Sequence, residues 1–336
     1  MCAFSTILDD KKLFLQFMDK ASYRKISYSF KYFFFSKSVL SNYKRQFQLV
    51  KTIKPFFKAG LIKYSSNTYV YIFQRLFRNF LSVSLTTNDK LDIFSHHFNF
   101  LQHHFSFGNL HKLFNEGISL FSETDGSNAY AIKLVSSKNG EYEGLLSLAF
   151  TCNDIELAVV SFTIAPGKIF GLEQNEIAYV TRLQKSRAEK DLVNEATKYF
   201  KDIFLTSILL KALEAMLFAF DISTFAGVSA GNQVSGHMSG YQELFYVFYD
   251  ETWITNGGIL KNGEYILSLP LPHKSILLIK QTHRNRTVKK RNKLKEIYDC
   301  CSKNAQLIIS DKQPETYVTF ADNKSHNFSG KTIIAT

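Results

Sequence analysis

The chain has 336 residues, is 45% hydrophobic and 21% charged, and contains 16 glycines and 5 prolines. That apolar content supports a packed core and excludes a disordered, collagen-like or low-complexity chain, and the length allows one large domain or two of ordinary size. The formal charge of +12 is unevenly placed: residues 1–80 carry 15 Lys/Arg against Asp9, Asp10 and Asp19, whereas 81–336 carry 26 basic and 26 acidic residues. A one-sided excess points to an anionic partner, be it a membrane face, a nucleic acid or an acidic protein, although a solvated basic helical region has the same composition.

Cys2, Cys152, Cys300 and Cys301 show neither CxxC spacing nor the framework of a secreted scaffold. A bridge between the adjacent pair would be strained, so the pattern fits a reducing compartment. No stretch reaches the ~20 apolar residues of a bilayer span. Asp9 and Asp10 stand where a signal peptide needs a basic start and an apolar run. The expectation is a cytoplasmic protein, with peripheral association with the inner membrane as the variant that the basic charge suggests.

Residues 1–80 read as helices, with Leu13, Phe14 and Phe17 on one face and Ile72, Leu76 and Phe80 on another. This quarter holds 20 of the 49 Phe and Tyr. Aromatics among cations, as around Tyr32–Phe35, suit an interfacial helix or stacked single-stranded nucleic acid, and equally a helix packed on the rest of the fold. Thr86 and Asp89 mark the start of a capped helix running through 92–105. From Gly117 the pattern turns to strands, predicted at 129–136, 143–150, 156–165 and 177–184. Residues 187–220 are predicted helical with a break near Asp202, followed by a buried strand at 222–228 and a Gly/Ser-rich loop at 229–240. A helix at 243–256 stops at Gly257-Gly258. A strand at 265–269 is closed by Pro270 and Pro272, and a basic helix at 280–299 precedes a polar tail. The fold class expected is α/β in the α+β sense: a mixed, mostly antiparallel sheet flanked by helices, with divisions at 1–85, 86–300 and 301–336.

His96, His97, His103, His104 and His111 cluster, and spacings of seven set His97, His104 and His111 on one stripe of an unbroken helix. Neither an HExxH pattern nor converging carboxylates accompany them, and Gly108 is read as interrupting the helix, so no metal site is expected. Segment 181–190 lies between a strand and a helix, where backbone amides hold anions, yet no glycine occurs from Leu172 to Phe225. The loop 227–240 is the better cavity candidate, with Asn232, Gln233 and His237 as its polar groups, although a lone histidine in such a loop is as readily a surface residue. No GxSxG, Walker or Rossmann fingerprint is present. Segment 280–295 holds eight Lys/Arg and no acid, and Val288, Leu294 and Ile297 leave only a narrow apolar stripe. Anionic headgroups would attract each cation by about 1 kcal/mol, and RNA comparably with steep salt dependence.

Taken in order, HFNFL (97–101), LAVVSFTIA (157–165), VTRLQK (180–185), NEATKYF (194–200), ILLKALEAMLFAFDI (208–222), FAGVS (225–229), FYDETWITNGG (248–258), YILSLPLP (265–272) and HRNRTVKKR (283–291) resemble the VirK/YbjX family over about residues 60–300. YDxxW followed by GG, an LP pair and the Arg/Lys-rich close is the most specific part. The chain departs where relatives carry glycine around the LQ pair, having Thr181 before it and Lys185 after. It departs again where relatives read something like GLRPK, having DIFLTS at 202–207. The resemblance implies a Gram-negative, cytoplasmic, virulence-associated protein linked to envelope integrity and antimicrobial-peptide resistance.

Three readings compete. The first is this envelope role, with an anionic membrane surface or envelope precursor as partner, held by Arg284, Arg286, Lys289, Lys290 and Arg291, with Phe33, Phe34 and Phe35 entering the headgroups. Neutralising those five cations is expected to release the protein from vesicles with its melting temperature nearly unchanged. The second is an acyltransferase with a GNAT-like fold using acyl-CoA or a similar donor. Tyr249 would be its acid, His237 or Glu243 its base, and Gln184, Asn232 and Gln233 would line a cleft between strands 157–165 and 222–228. RNA binding, the third, rests on charge alone. Tyr249 and Trp253 are expected to share a helix face packed on the sheet, with Asp250 free to pair with a cation of 280–295.

Overall fold

The computed structural model describes residues 43–61, 80–137, 142–186, 189–239 and 245–311. The segments read at 13–17, 32–35 and 72–76, Glu243, and the tail from 312 lie outside them. Helix α1 (Tyr43–Lys58) packs on α2 (Thr87–His104) through an edge-on Phe56–Phe98 contact at 4.9 Å and an Arg45–Asp92 ion pair at 3.1 Å. Thr86 and Asp89 cap α2 reciprocally, as their spacing predicts: each side chain takes the other's backbone N–H, at 3.2 and 3.0 Å. The helix ends at Phe105, and Ser106 caps a new one, α3 (Phe107–Asn115). The break therefore precedes Gly108, which lies inside α3, and His111 is not on the stripe of His97 and His104.

His97 is fully buried, and its Nδ1 accepts the backbone N–H of Ile164 at 3.2 Å. Burial, with His96 beside it, pushes its pKa down to about 3. The unfolded ring takes a proton near 6.5, so between those values the unfolded chain binds more protons and stability falls as pH drops. From pH 7 to pH 5 this group alone is expected to remove about 2 kcal/mol. His97→Asn keeps an acceptor for Ile164, and its urea midpoints at the two pH values should lie closer together than those of the parent. An unchanged slope would assign the acid sensitivity to other groups.

Strands β1 (Ile118–Asp125), β2 (Asn128–Ser136), β3 (Leu146–Cys152), β4 (Ile155–Ala165) and β5 (Ile177–Lys185) form an antiparallel run. Helices α4 (Lys190–Tyr199) and α5 (Leu205–Ala219) then lead to β6 (Thr224–Gly227), which pairs parallel with β5. Short α6 (Val234–Ser239), a π-helical turn (Tyr246–Asp250) running into α7 (Glu251–Thr255), and the hairpin β7 (Ile259–Lys261) and β8 (Glu264–Ser268) complete the sheet. Its order is β1-β2-β3-β4-β5-β6-β8-β7. The expected mixed, mostly antiparallel sheet with flanking helices is what forms.

β3 is buried along its whole length and β4 from Leu157 onward, with α2 and α5 both packed against β4. The break near Asp202 is a turn in which Lys201 and Asp202 both have left-handed backbones. β1 escapes the alternation rule because a bulge at Leu120 puts Leu120 and Phe121, neighbours in sequence, both into the core. β7 escapes it because its three residues are all exposed; Asn262 and Gly263, both at positive φ, close its hairpin. The basic helix α8 runs from Gln281 to Ser310. Its last turns lie in the stretch that polarity marks as a tail, but Ile297, Cys301, Ala305 and Ile308 form a buried stripe spaced for one helix face. No helix of the described residues is long and apolar enough to cross a membrane.

Candidate functional site

β5 and β6 are the one parallel pair among the described residues, and they stay together only briefly. Their register covers Ala178–Val180 against Phe225–Gly227, with a last bond from the Val228 N–H to the Val180 carbonyl at 2.9 Å. Thr181 follows as a bulge in β5: Ser161 faces Arg182 while Phe162 faces Val180. A bulge bends its strand, and beyond it β5 continues only with β4. Strands 157–165 and 222–228, between which a cleft was expected, are not neighbours, because β5 lies between them; the strands that part are β5 and β6.

Two side chains reach the fork, one on each strand. The Leu183 N–H, freed from strand pairing, donates to the Tyr249 hydroxyl at 3.1 Å, and the Val228 carbonyl accepts from Trp253 Nε1 at 2.8 Å. Tyr249 and Trp253 are both buried, on one face, as their i,i+4 spacing predicts. Gln233 Nε2 approaches the Tyr249 oxygen at 3.4 Å and donates to the Glu143 carboxylate, which also accepts from Ser235. Arg182 stands 3.6 Å from Glu143. Burial, then the Glu143 charge, raise the Tyr249 pKa against the opposing effects of the Leu183 N–H, Arg182 and Gln233. Tyr249 therefore stays protonated: its oxygen accepts two bonds and its hydrogen remains to donate.

On the β8 side, Glu264 is buried. Its Oε1 accepts from Tyr179 at 2.9 Å, Ser82 and Ser84 at 3.0 Å and Asn232 at 3.1 Å, and its Oε2 from the Ser229 N–H at 2.9 Å. Burial outweighs those bonds and raises its pKa. Residues 80–85 are tied to β5 and β8 through this carboxylate.

Of the residues singled out from sequence, Tyr249 and Gln233 meet at the fork, and Asn232 joins Glu264. Gln184 is exposed at the end of β5, accepting from Arg182 Nε at 2.8 Å. His237 is exposed on α6, and no described hydrogen bond reaches its ring. Asp250 does not meet a cation of 280–295; its carboxylate accepts the Ala230 N–H at 2.7 Å, closing the turn after β6. Glu143 and Glu264 were missed, for they follow turn signals where a charge reads as solvated. His96 and His104 approach Glu176 at 3.7 and 4.0 Å, but among the described residues no three His, Cys, Asp or Glu side chains are placed to hold a metal ion.

Most of the chosen basic residues have internal partners. Arg286 pairs with Asp202 at 2.9 Å and Lys290 donates to the Asp202 carbonyl at 2.6 Å. Arg284 donates to the Ile279 and Leu277 carbonyls at 3.0 and 3.2 Å, and Arg291 donates to that of Lys274. Only Lys289 of the five has no described partner. Neutralising all five should therefore loosen two loops as well as remove charge, so an unchanged melting temperature is no longer the expectation.

A family model described as "Protein of unknown function (DUF535)" matches residues 22–299. No curated protein and no solved structure matches the chain. With that match covering most of its length, the chain belongs to the DUF535 family.

Proposed function

We propose that the protein is an acyl-transfer enzyme of GNAT-like design acting on an amine- or hydroxyl-bearing component of the bacterial envelope. The observation that carries the reaction class is the fork where β5 leaves β6 at the Thr181 bulge, with the Tyr249 hydroxyl inside it. Such a fork suits an extended thioester arm, because the β5 backbone past the bulge offers hydrogen bonds that no strand takes. An incoming amide carbonyl would take the Leu183 N–H from Tyr249 and turn that hydroxyl toward the sulfur. With its raised pKa, Tyr249 acts as a hydrogen-bond donor to charge developing on sulfur rather than as a base. Glu143, one amide group away through Gln233, is the base in place of His237. As the acceptor attacks the thioester carbon, its proton passes to Glu143, the carbon–sulfur bond breaks, and the thiolate leaves on the Tyr249 side. The envelope acceptor, the virulence role and the cytoplasmic location come from the VirK/YbjX resemblance.

Calorimetric titration with a panel of acyl-CoA thioesters tests the reading. At least one is expected to bind, and Tyr249→Phe should keep that binding while lowering turnover by about 10²-fold or more. No binding across short and long acyl chains would sink the enzyme reading.

A further inference from the structure

One end of the α5–α8 pair breaks two packing rules together. Phe204 occupies the N-cap of α5 without a side-chain cap, a position that ordinarily takes Ser, Thr, Asp or Asn, and it is 73% exposed. Leu277 and Leu278, on a single 3-10 turn just before α8, are 75% and 70% exposed. Neither knuckle is loose. Arg286 and Lys290 hold the left-handed Lys201–Asp202 turn that presents Phe204. Arg284 and Arg291, from another side of α8, hold the carbonyls of Leu277, Ile279 and Lys274. The cations left over are exposed: Lys201 comes just before Phe204 in the chain, Lys274 and Lys280 flank Leu277 and Leu278, and Lys289 stands next to Lys290 on α8. No acidic residue occurs from Tyr265 to Lys295, which carries nine Lys/Arg.

Rigid apolar tips inside a cationic surround, in which the Asp202 carboxylate is paired with Arg286, match a bilayer surface: hydrocarbon receives the tips and phosphates receive the ammonium groups. Single-stranded RNA would call for stacking faces, and two of the three tips are leucines. We infer that this end docks on an anionic lipid surface, with Phe204, Leu277 and Leu278 entering the boundary between headgroups and acyl chains. The inference rests on the envelope half of the reading above and not on acyl transfer, so vesicle binding and donor binding fail separately.

The full chain is floated with phosphatidylcholine vesicles containing about a third phosphatidylglycerol, and with pure phosphatidylcholine. Binding is expected to the first only, and to weaken with salt. The triple variant Phe204→Ser/Leu277→Ser/Leu278→Ser should bind about tenfold or more weakly, as should Lys274→Gln/Lys280→Gln/Lys289→Gln, with both melting temperatures close to the parent's. In a Leu277→Trp variant, the added emission should shift to the blue on the anionic vesicles. Undiminished binding by both triple variants, equal binding to neutral vesicles, no blue shift, or retention of single-stranded RNA without vesicle binding would each overturn the inference.

Discussion

Trp253→Ala is expected to lower the unfolding free energy by about 3–5 kcal/mol, in the range found for large aromatic truncations in cores. The indole is fully buried and meets the Phe225 ring nearly edge-on at a centroid distance of 6.0 Å. Its removal leaves a cavity at the fork and also strips the Val228 carbonyl of its donor. The fit is tight enough to dictate the residue beneath it. A Cβ on Gly227 would lie 2.5 Å from the ring, so Gly227→Ala should cost about 1–3 kcal/mol. The two costs share one cause. In the Trp253→Ala background, the added methyl should cost far less than in the parent, a coupling that a double-mutant cycle reads directly. Urea melts followed by far-ultraviolet circular dichroism serve all four proteins, since Trp253 is the only tryptophan. A Trp253→Ala variant within about 1 kcal/mol of the parent, or strictly additive costs, would remove the indole as the side chain that anchors α7 on β6.

The legible parts of this chain are those with local causes. Thr86 and Asp89 are three residues apart, so a capping box can be read from the string and is found. Strand-like runs bounded by turn signals place β2 to β5 within a few residues, and the left-handed turn falls where the helical pattern breaks at Asp202. Tyr249 and Trp253 share a face because of helix geometry alone. What stayed hidden depends on register or distant partners. The bulge at Thr181 exists only relative to β4, and without it nothing in VTRLQK says that the strand bends. Glu143 meets Gln233 across 90 residues of chain, and Ser82 meets Glu264 across 182. Asp250 illustrates the reverse error: a carboxylate beside a basic helix in sequence logic chose a backbone N–H at the end of β6 instead. The basic residues of α8 show a third. Composition counts charges, whereas here four of the five chosen cations are engaged in holding loops, and those left for a partner are Lys289 and lysines outside the helix, Lys201, Lys274 and Lys280, that the helix pattern did not single out.

Glu264→Ala should be about as damaging as loss of the indole, at about 3–5 kcal/mol, because it removes the acceptor and leaves buried donors behind. Ser82 and Ser84 can still bond each other across 2.7 Å, and Asn232 keeps the Gly263 carbonyl at 2.9 Å. The Tyr179 hydroxyl and the Ser229 N–H, both buried, lose the carboxylate that held them. Glu264→Gln separates acceptor from charge. Its oxygen can face the four donors now on Oε1, but its amide must then turn an N–H toward that of Ser229, so a smaller loss of about 1–3 kcal/mol is expected. The pH dependence has a definite sign. A carboxyl whose folded pKa is raised contributes most to stability when protonated, below its unfolded value, and loses that contribution as pH rises through the folded value. The deficit of Glu264→Gln against the parent should therefore be larger in mild acid than at pH 7. Urea midpoints of both proteins at the two pH values measure it. A deficit that shrinks in acid would mean that the hydrogen bonds outweigh burial at this carboxylate. A Glu264→Ala variant as stable as the parent would mean that residues 80–85, β5 and β8 are held together by packing alone.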